Sequence, residues 1–299
     1  MEKHRIMAMP ELMAGGYDWL ETWRRMYDQE RAQGEAAMDP AFGRSADYWA
    51  HRAGRFAAAA RRHPQPDSSM EWLFPHLRPD DTVLDIGAGT GRYLPHLARR
   101  VAHVVAVEPS PAMRAELETT VTEAGLNNLT IIASSWPMED PPAADVAFSA
   151  HVVYGVREIG PFLEGMDRAA RRLCVLFLGL RHPTSALKPV WERVHGQPRL
   201  PLPAALETLC ACHQLGLPAR LELAPIPTMM RYADAEEALL DLRDRLRLTP
   251  NPERDARIRA AIAEVFVPTD DGMLVPREQQ RYGGIVWWEP GTRTGAMSL

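Results

Sequence analysis

The ten residues Val83-Leu84-Asp85-Ile86-Gly87-Ala88-Gly89-Thr90-Gly91-Arg92 constrain this chain more than any other stretch. Their left half is a short apolar run of the kind that forms a strand buried on both faces. Their right half sets three glycines at alternate positions. Tyr93-Leu94-Pro95-His96-Leu97-Ala98 then reads as a helix start, with Pro95 in a first turn where a missing N–H is no loss. Strand, glycine turn and helix in that order build a nucleotide-sized pocket at the carboxyl edge of a parallel sheet. The glycines let backbone and ligand approach closely, and the helix N-terminus presents unpaired N–H groups.

The spacing narrows the choice of ligand. A dinucleotide fingerprint needs G-x-G-x-x-G, and counted from Gly87 its third glycine would stand where the chain has Arg92. The spacing present is G-x-G-x-G, with Asp85 ahead of it in the strand end. A carboxylate there suits an ammonium group better than a pyrophosphate. The string Val-Leu-Asp-Ile-Gly-Ala-Gly-Thr-Gly resembles the first motif of the class I S-adenosylmethionine-dependent methyltransferases. The resemblance implies an α/β, three-layer Rossmann-like fold with a seven-stranded sheet in the order 3-2-1-4-5-7-6, the last strand antiparallel. It implies further that Asp85, Gly87, Ala88, Gly89 and Gly91 hold S-adenosylmethionine, with S-adenosylhomocysteine as product.

The later strands carry the remaining candidates. Val104 to Val107 reads as a second buried strand ending in Glu108, 23 residues beyond Asp85. In a doubly wound sheet a carboxylate at that point faces ribose hydroxyls, and hydrogen bonds to a charged group are the stronger kind. Ser110 and Pro111 then cap and open a helix. The resemblance puts Pro109 and Met113 against adenine, while a plain helix start with a core methionine would look the same. After the third strand, Leu129 to Ile132, the family commonly has an acid that binds the adenine amino group. Here the chain has Ser134-Ser135-Trp136, so Ser135 and Trp136 are the candidates, or Glu139 reaching back.

The fourth strand, Ala144 to Ser149, ends in Ala150-His151-Val152-Val153-Tyr154, where in the family the methyl donor meets its acceptor. Methylases of exocyclic nucleobase amines carry Asn/Asp-Pro-Pro-Tyr at that place, and this chain does not. His151 is a candidate general base, since imidazole titrates near neutrality, and Tyr154 a second candidate. A lone histidine at a strand end equally serves to bind a backbone carbonyl or to line the cofactor pocket. Arg157 either clamps an acidic substrate or pairs with Glu158. Leu173 to Leu178, Ala219 to Leu223 and Ile285 to Trp288 complete the strands, and Trp191, His195 and Gly196 stand in a proline-rich stretch.

Residues 1–66 read as an N-terminal helical cap and 67–299 as the cofactor-binding domain, with 225–280 a helical insertion over the active site. Trp19, Leu20, Trp23, Met26 and Tyr27 recur at helical spacing. A second helix is expected from an N-cap at Ser45 through Asp47 to Phe56, followed by a linker at His63-Pro64-Gln65-Pro66. The resemblance makes Tyr48 and Arg52, four apart on one face, a lid over the methionine end of the cofactor; packing on the core is the alternative. A net charge of −5 gives no overall basic field, so a small-molecule acceptor and no nucleic-acid partner are expected. Cys174, Cys210 and Cys212 form no C-x-x-C pair and read as reduced, buried thiols of a cytoplasmic protein. No metal site or membrane span is expected, and a homodimer is left open. The expected function is methyl transfer from S-adenosylmethionine to a small acceptor, the alternative a protein that binds the cofactor or its product without transfer.

Overall fold

The computed structural model describes residues 16–42, 47, 49–50, 52–62, 65–226 and 230–291. Ser45, Tyr48 and the first half of the His63-to-Pro66 linker lie outside the described residues.

The apolar runs form the expected sheet. Strands β1 (Thr82–Ile86), β2 (His103–Val107), β3 (Leu129–Ile132), β4 (Ala144–Ala150) and β5 (Ala170–Gly179) are parallel, with β6 (Arg220–Pro225) at the far edge. The last sheet strand, β9 (Tyr282–Trp288), runs antiparallel between β5 and β6, giving the order β3-β2-β1-β4-β5-β9-β6. Counted among sheet strands alone, that is the order the motif resemblance implies. Two short strands that the sequence pattern does not announce, β7 (Phe266–Pro268) and β8 (Leu274–Pro276), pair by themselves outside the sheet.

Side chains alternate across the sheet with period two. Val83, Val104, Val146, Phe148, Val175 and Phe177 pack on one face against helices α3 (Ser68–Leu73), α4 (Leu94–Ala98) and α5 (Pro111–Glu123). Leu84, Ile86, Val105, Val107, Ala147, Leu176 and Leu178 pack on the other against α6 (Ile159–Ala169) and α8 (Ala205–Gln214). Helix α1 (Trp19–Ala37) joins that second layer through the fully buried Trp23, whose indole N–H donates to the Val156 carbonyl at 2.8 Å.

Helix α2 spans Ala53–Arg62, so the expected start at Asp47 is corrected. The Asp47 carboxylate accepts from the Trp49 N–H at 2.9 Å and from the Ser110 hydroxyl at 2.8 Å. An Asx-type contact of this kind competes with helical geometry and holds a turn instead. The late helices α9 (Ala235–Arg245) and α10 (Pro252–Val265) build a third core with α7 (Lys188–His195), around Trp191, Leu239, Leu242, Ile258, Ile262 and Phe266. The segment carrying them leaves the sheet at Pro225 and returns at Tyr282, which are register partners, and the Ile226 N–H donates to the Arg281 carbonyl at 3.1 Å. Among the described residues no helix is long and apolar enough to cross a membrane.

Candidate functional site

Strand β1 lies between β2 and β4, so the chain order reverses there and the crevice beyond its carboxyl end is open to a ligand. The turn Gly87–Gly91 closes over that end. The Gly87 and Ala88 N–H groups donate to the Val107 carbonyl at 2.8 and 3.1 Å, fixing the turn on the neighbouring strand. Gly87 has φ +73°, and a Cβ on it would lie 2.4 Å from Val152 Cγ2. Gly89, at φ +57°, has nothing closer than 4.0 Å to such a Cβ. The first glycine is demanded by the protein's own packing; the second leaves room above the turn.

Two acids meet beneath it. Glu108, 5% exposed, accepts from the Gly89 N–H through Oε2 at 2.9 Å and from the Ser110 N–H through Oε1 at 2.8 Å. Burial raises its pKa, with the two N–H donors opposing that effect. Each oxygen keeps a lone pair for a further donor. Asp85 is 2% exposed, and no donor among the described residues reaches its carboxylate. Burial, helped by the Glu108 charge, pushes it up to about 7. A buried carboxylate without a donor is costly and calls for a partner from outside the chain.

The other expected cofactor contacts are distributed around this pair. Pro109 is exposed and Met113 is buried, with its N–H capped by the Ser110 hydroxyl at 3.2 Å. Ser135 is exposed. Trp136 turns to α6, donating to the Phe162 carbonyl at 3.1 Å and packing where a Cβ on Gly165 would touch it, so its indole N–H already has a partner. Ala150 is half-buried at the end of β4 opposite Phe177. Arg52 is buried and pairs with Asp244 of α9 at 3.1 Å. Arg157 binds Asp28 at 2.7 Å and pairs also with Glu158, which favours the ion-pair alternative over a substrate clamp.

Beyond β4, His151 adopts φ +59°, a conformation that a non-glycine residue occupies only at a cost. Its Nδ1 is 3.4 Å from the Tyr154 hydroxyl, which accepts from the Gly179 N–H at 2.6 Å. The imidazole is pushed down to about 4, by the surrounding protein first and the Arg92 cation second. The residue nevertheless keeps contact with solvent at the mouth of a recess. It is a neutral ring at pH 7. That recess, of about 20 Å³, has Asp67, Ser69 and Arg92 on its other walls and room for a water molecule. Arg92 pairs there with Asp67 at 3.0 Å. Sequence reading missed Asp67, whose only local signal is an N-cap before Ser68, and Asp47, which reaches Ser110 from the cap.

These features define a doubly wound α/β protein with a glycine turn over two buried acids at the carboxyl end of β1. Residues 83–173 match the family described as a methyltransferase domain. A 63-residue segment is 43% identical to the 23S rRNA (uracil(1939)-C(5))-methyltransferase RlmD of Klebsiella pneumoniae, over 21% of this chain and 14% of that protein. Another, of 73 residues, is 42% identical to a probable ribosomal RNA small subunit methyltransferase A of Methanosarcina mazei, over 24% of this chain and 26% of that protein. The chain thus spans well under half the length of these curated relatives. The solved YcgJ protein of Bacillus subtilis has the same fold, with a TM-score of 0.53 at 12% identity over 74% of this chain and 97% of that one.

Over residues 83–173 the chain thus matches a methyltransferase-domain family, in line with the resemblance of its glycine motif to the class I S-adenosylmethionine-dependent methyltransferases. One expectation is overturned. The absence of a nucleic-acid partner was argued from net charge, yet the matched relatives include enzymes named for ribosomal RNA. Net charge averages over the whole surface and says nothing of a local groove, so it cannot carry that exclusion.

Proposed function

We propose that this protein transfers a methyl group from S-adenosylmethionine to a small-molecule acceptor admitted at the carboxyl edge of β4 and β5. The observation that carries the cofactor reading is the pair of buried acids under the glycine turn, one without a donor among the described residues. Bound S-adenosylmethionine supplies a methyl group already activated on a sulfonium. The chain's residues then have to bind and align. Asp85 takes the ammonium of the methionine end, Glu108 accepts from the ribose hydroxyls, and the turn from Gly87 through Ala88 and Gly89 to Gly91 lies against the backbone-sized gap between them. Pro109 and Met113 flank the adenine, with Ser135 at its edge.

Alignment is the larger part of the chemistry, since holding two reactants in line can lower a barrier by about 7–11 kcal/mol. His151 serves an acceptor that must lose a proton. In the tautomer whose Nδ1–H donates to the Tyr154 oxygen, the Nε2 lone pair is left to accept from an acceptor hydroxyl or amine. The cap of residues 1–66 and the insertion of 225–280 are read as the roof of this edge, supported by contacts such as Arg52 to Asp244 and Arg55 to Asp244.

A ribosomal RNA acceptor is the second reading, favoured by the two matched segments. The test is calorimetric titration with S-adenosylhomocysteine, followed by transfer of labelled methyl from S-adenosylmethionine into a cell extract separated into small-molecule and RNA pools. Label in the small-molecule pool supports the first reading and label in RNA the second. Binding without label in any pool would leave a cofactor-binding protein that transfers nothing.

A further inference from the structure

Four side chains that the cofactor pocket does not use converge between α1 and α7. Arg199 has only 11% of its side chain exposed, and its Nη2 pairs with Glu30 of α1. Its guanidinium lies 4.4 Å over the ring of Trp191, and the Trp191 and His195 rings are 4.2 Å apart. Arg199 Nε and Nη1, Trp191 Nε1 and His195 Nε2 are all shut off from solvent with no hydrogen-bond partner among the described residues. An unpaired buried donor costs about 1–3 kcal/mol, and a cation stacked on an indole offsets only part of that. Three donors and an imidazole left unpaired in one place are not what packing alone produces.

His182 links the cluster to the proposed transfer site. The Arg199 cation adds to the burial that pushes His182 down to about 3. The His182 ring is 4.7 Å from that of Tyr154, and the Tyr154 ring is 6.1 Å from that of His151. Glu30 engages one nitrogen of a guanidinium built to meet a carboxylate with two.

We infer that Arg199, with Trp191 and His195 beside it, is the anchor for the carboxylate of an anionic acceptor, and that Glu30 holds the guanidinium until that acceptor enters. A monocarboxylate replacing Glu30 leaves the buried charge unchanged and fills the Nε and Nη1 edge as well. A phosphate would bring a second negative charge to a single cation. The word acceptor rests on the methyl-transfer reading; the anion site itself does not.

The experiment titrates acetate, benzoate and inorganic phosphate by calorimetry into the full chain, its Arg199→Gln variant and its Glu30→Gln variant, with S-adenosylhomocysteine titrated in parallel. The expected result is saturable binding of a carboxylate, at least about tenfold weaker in Arg199→Gln and severalfold tighter in Glu30→Gln, with cofactor-product affinity equal in all three proteins. No carboxylate binding, binding indifferent to Arg199, or a preference for phosphate overturns it. Should Arg199→Gln fail to fold, Glu30→Gln decides alone: a gain supports the anchor and no gain overturns it. Arg199-dependent carboxylate binding in a protein that ignores S-adenosylhomocysteine would sink the methyl-transfer reading and leave the anion site standing.

Discussion

Replacing Asp85 with Asn should make the protein more stable and less able to bind its cofactor. The carboxyl is raised from 3.8 to about 7 because it is buried, with the nearby Glu108 charge adding to the effect. A folded-state pKa above the unfolded one means that the native protein holds this proton more tightly than the unfolded chain. The favourable contribution is complete below pH 4 and is lost as pH rises through 7. At 1.36 kcal/mol per pH unit, its full extent is about 4 kcal/mol. Asparagine cannot ionise, so Asp85→Asn should match wild type near pH 4 and exceed it at pH 8 by a ceiling of about 4 kcal/mol. Denaturant unfolding at the two pH values measures this directly. Binding should move the other way. An ammonium group favours the ionised carboxylate, so wild-type affinity for S-adenosylhomocysteine should tighten as pH rises through 7. The variant should lose a charged hydrogen bond of about 1.5–3 kcal/mol, a tenfold weakening or more. A variant less stable than wild type at pH 8, or one binding S-adenosylhomocysteine equally well, would refute the reasoning.

Other substitutions probe neighbouring parts. Glu108→Ala removes the acceptor for the Gly89 and Ser110 N–H groups together with the proposed ribose contact; calorimetry should show at least about a tenfold loss of S-adenosylhomocysteine affinity. Gly87→Ala drives a Cβ to 2.4 Å from Val152 at positive φ, and its unfolding midpoint should fall by an amount equivalent to about 2–4 kcal/mol, part of which Val152→Ala restores. Arg52→Ala leaves Asp244 paired with Arg55 alone, so a melting temperature below wild type is expected, from a loss of about 1–3 kcal/mol.

The sheet was legible because its signals are local. Apolar runs of strand length, a glycine turn and proline at helix starts each act within a few residues, and all seven sheet strands follow from them. Glu108 was legible for the same reason, standing at a strand end whose geometry is general. The misplaced start of α2 shows where that stops. Asp47 reads as the first turn of a helix, yet its carboxylate serves the Ser110 hydroxyl, 63 residues away in the chain. Trp136 reads as a candidate adenine contact after a strand, and only the packing of α6 reveals that its N–H is taken. The Arg199 cluster had no local signal at all. Its residues lie in a proline-rich stretch, and Glu30 comes to Arg199 across 169 positions through the docking of α1.

The way the chain leaves and re-enters the sheet has its own consequence. Because Pro225 and Tyr282 face each other across an antiparallel pair, everything between them hangs from a hairpin neck. A module attached in this way can be lengthened, trimmed or exchanged for a tight turn without rethreading any strand, since its two ends are already a turn's width apart. Its helices pack mainly among themselves and on α7, through a core separate from the two that line the sheet. Selection could therefore rebuild the module while the glycine turn and its two acids stayed as they are. In such an architecture, new forms of the module would arise by grafting at the neck.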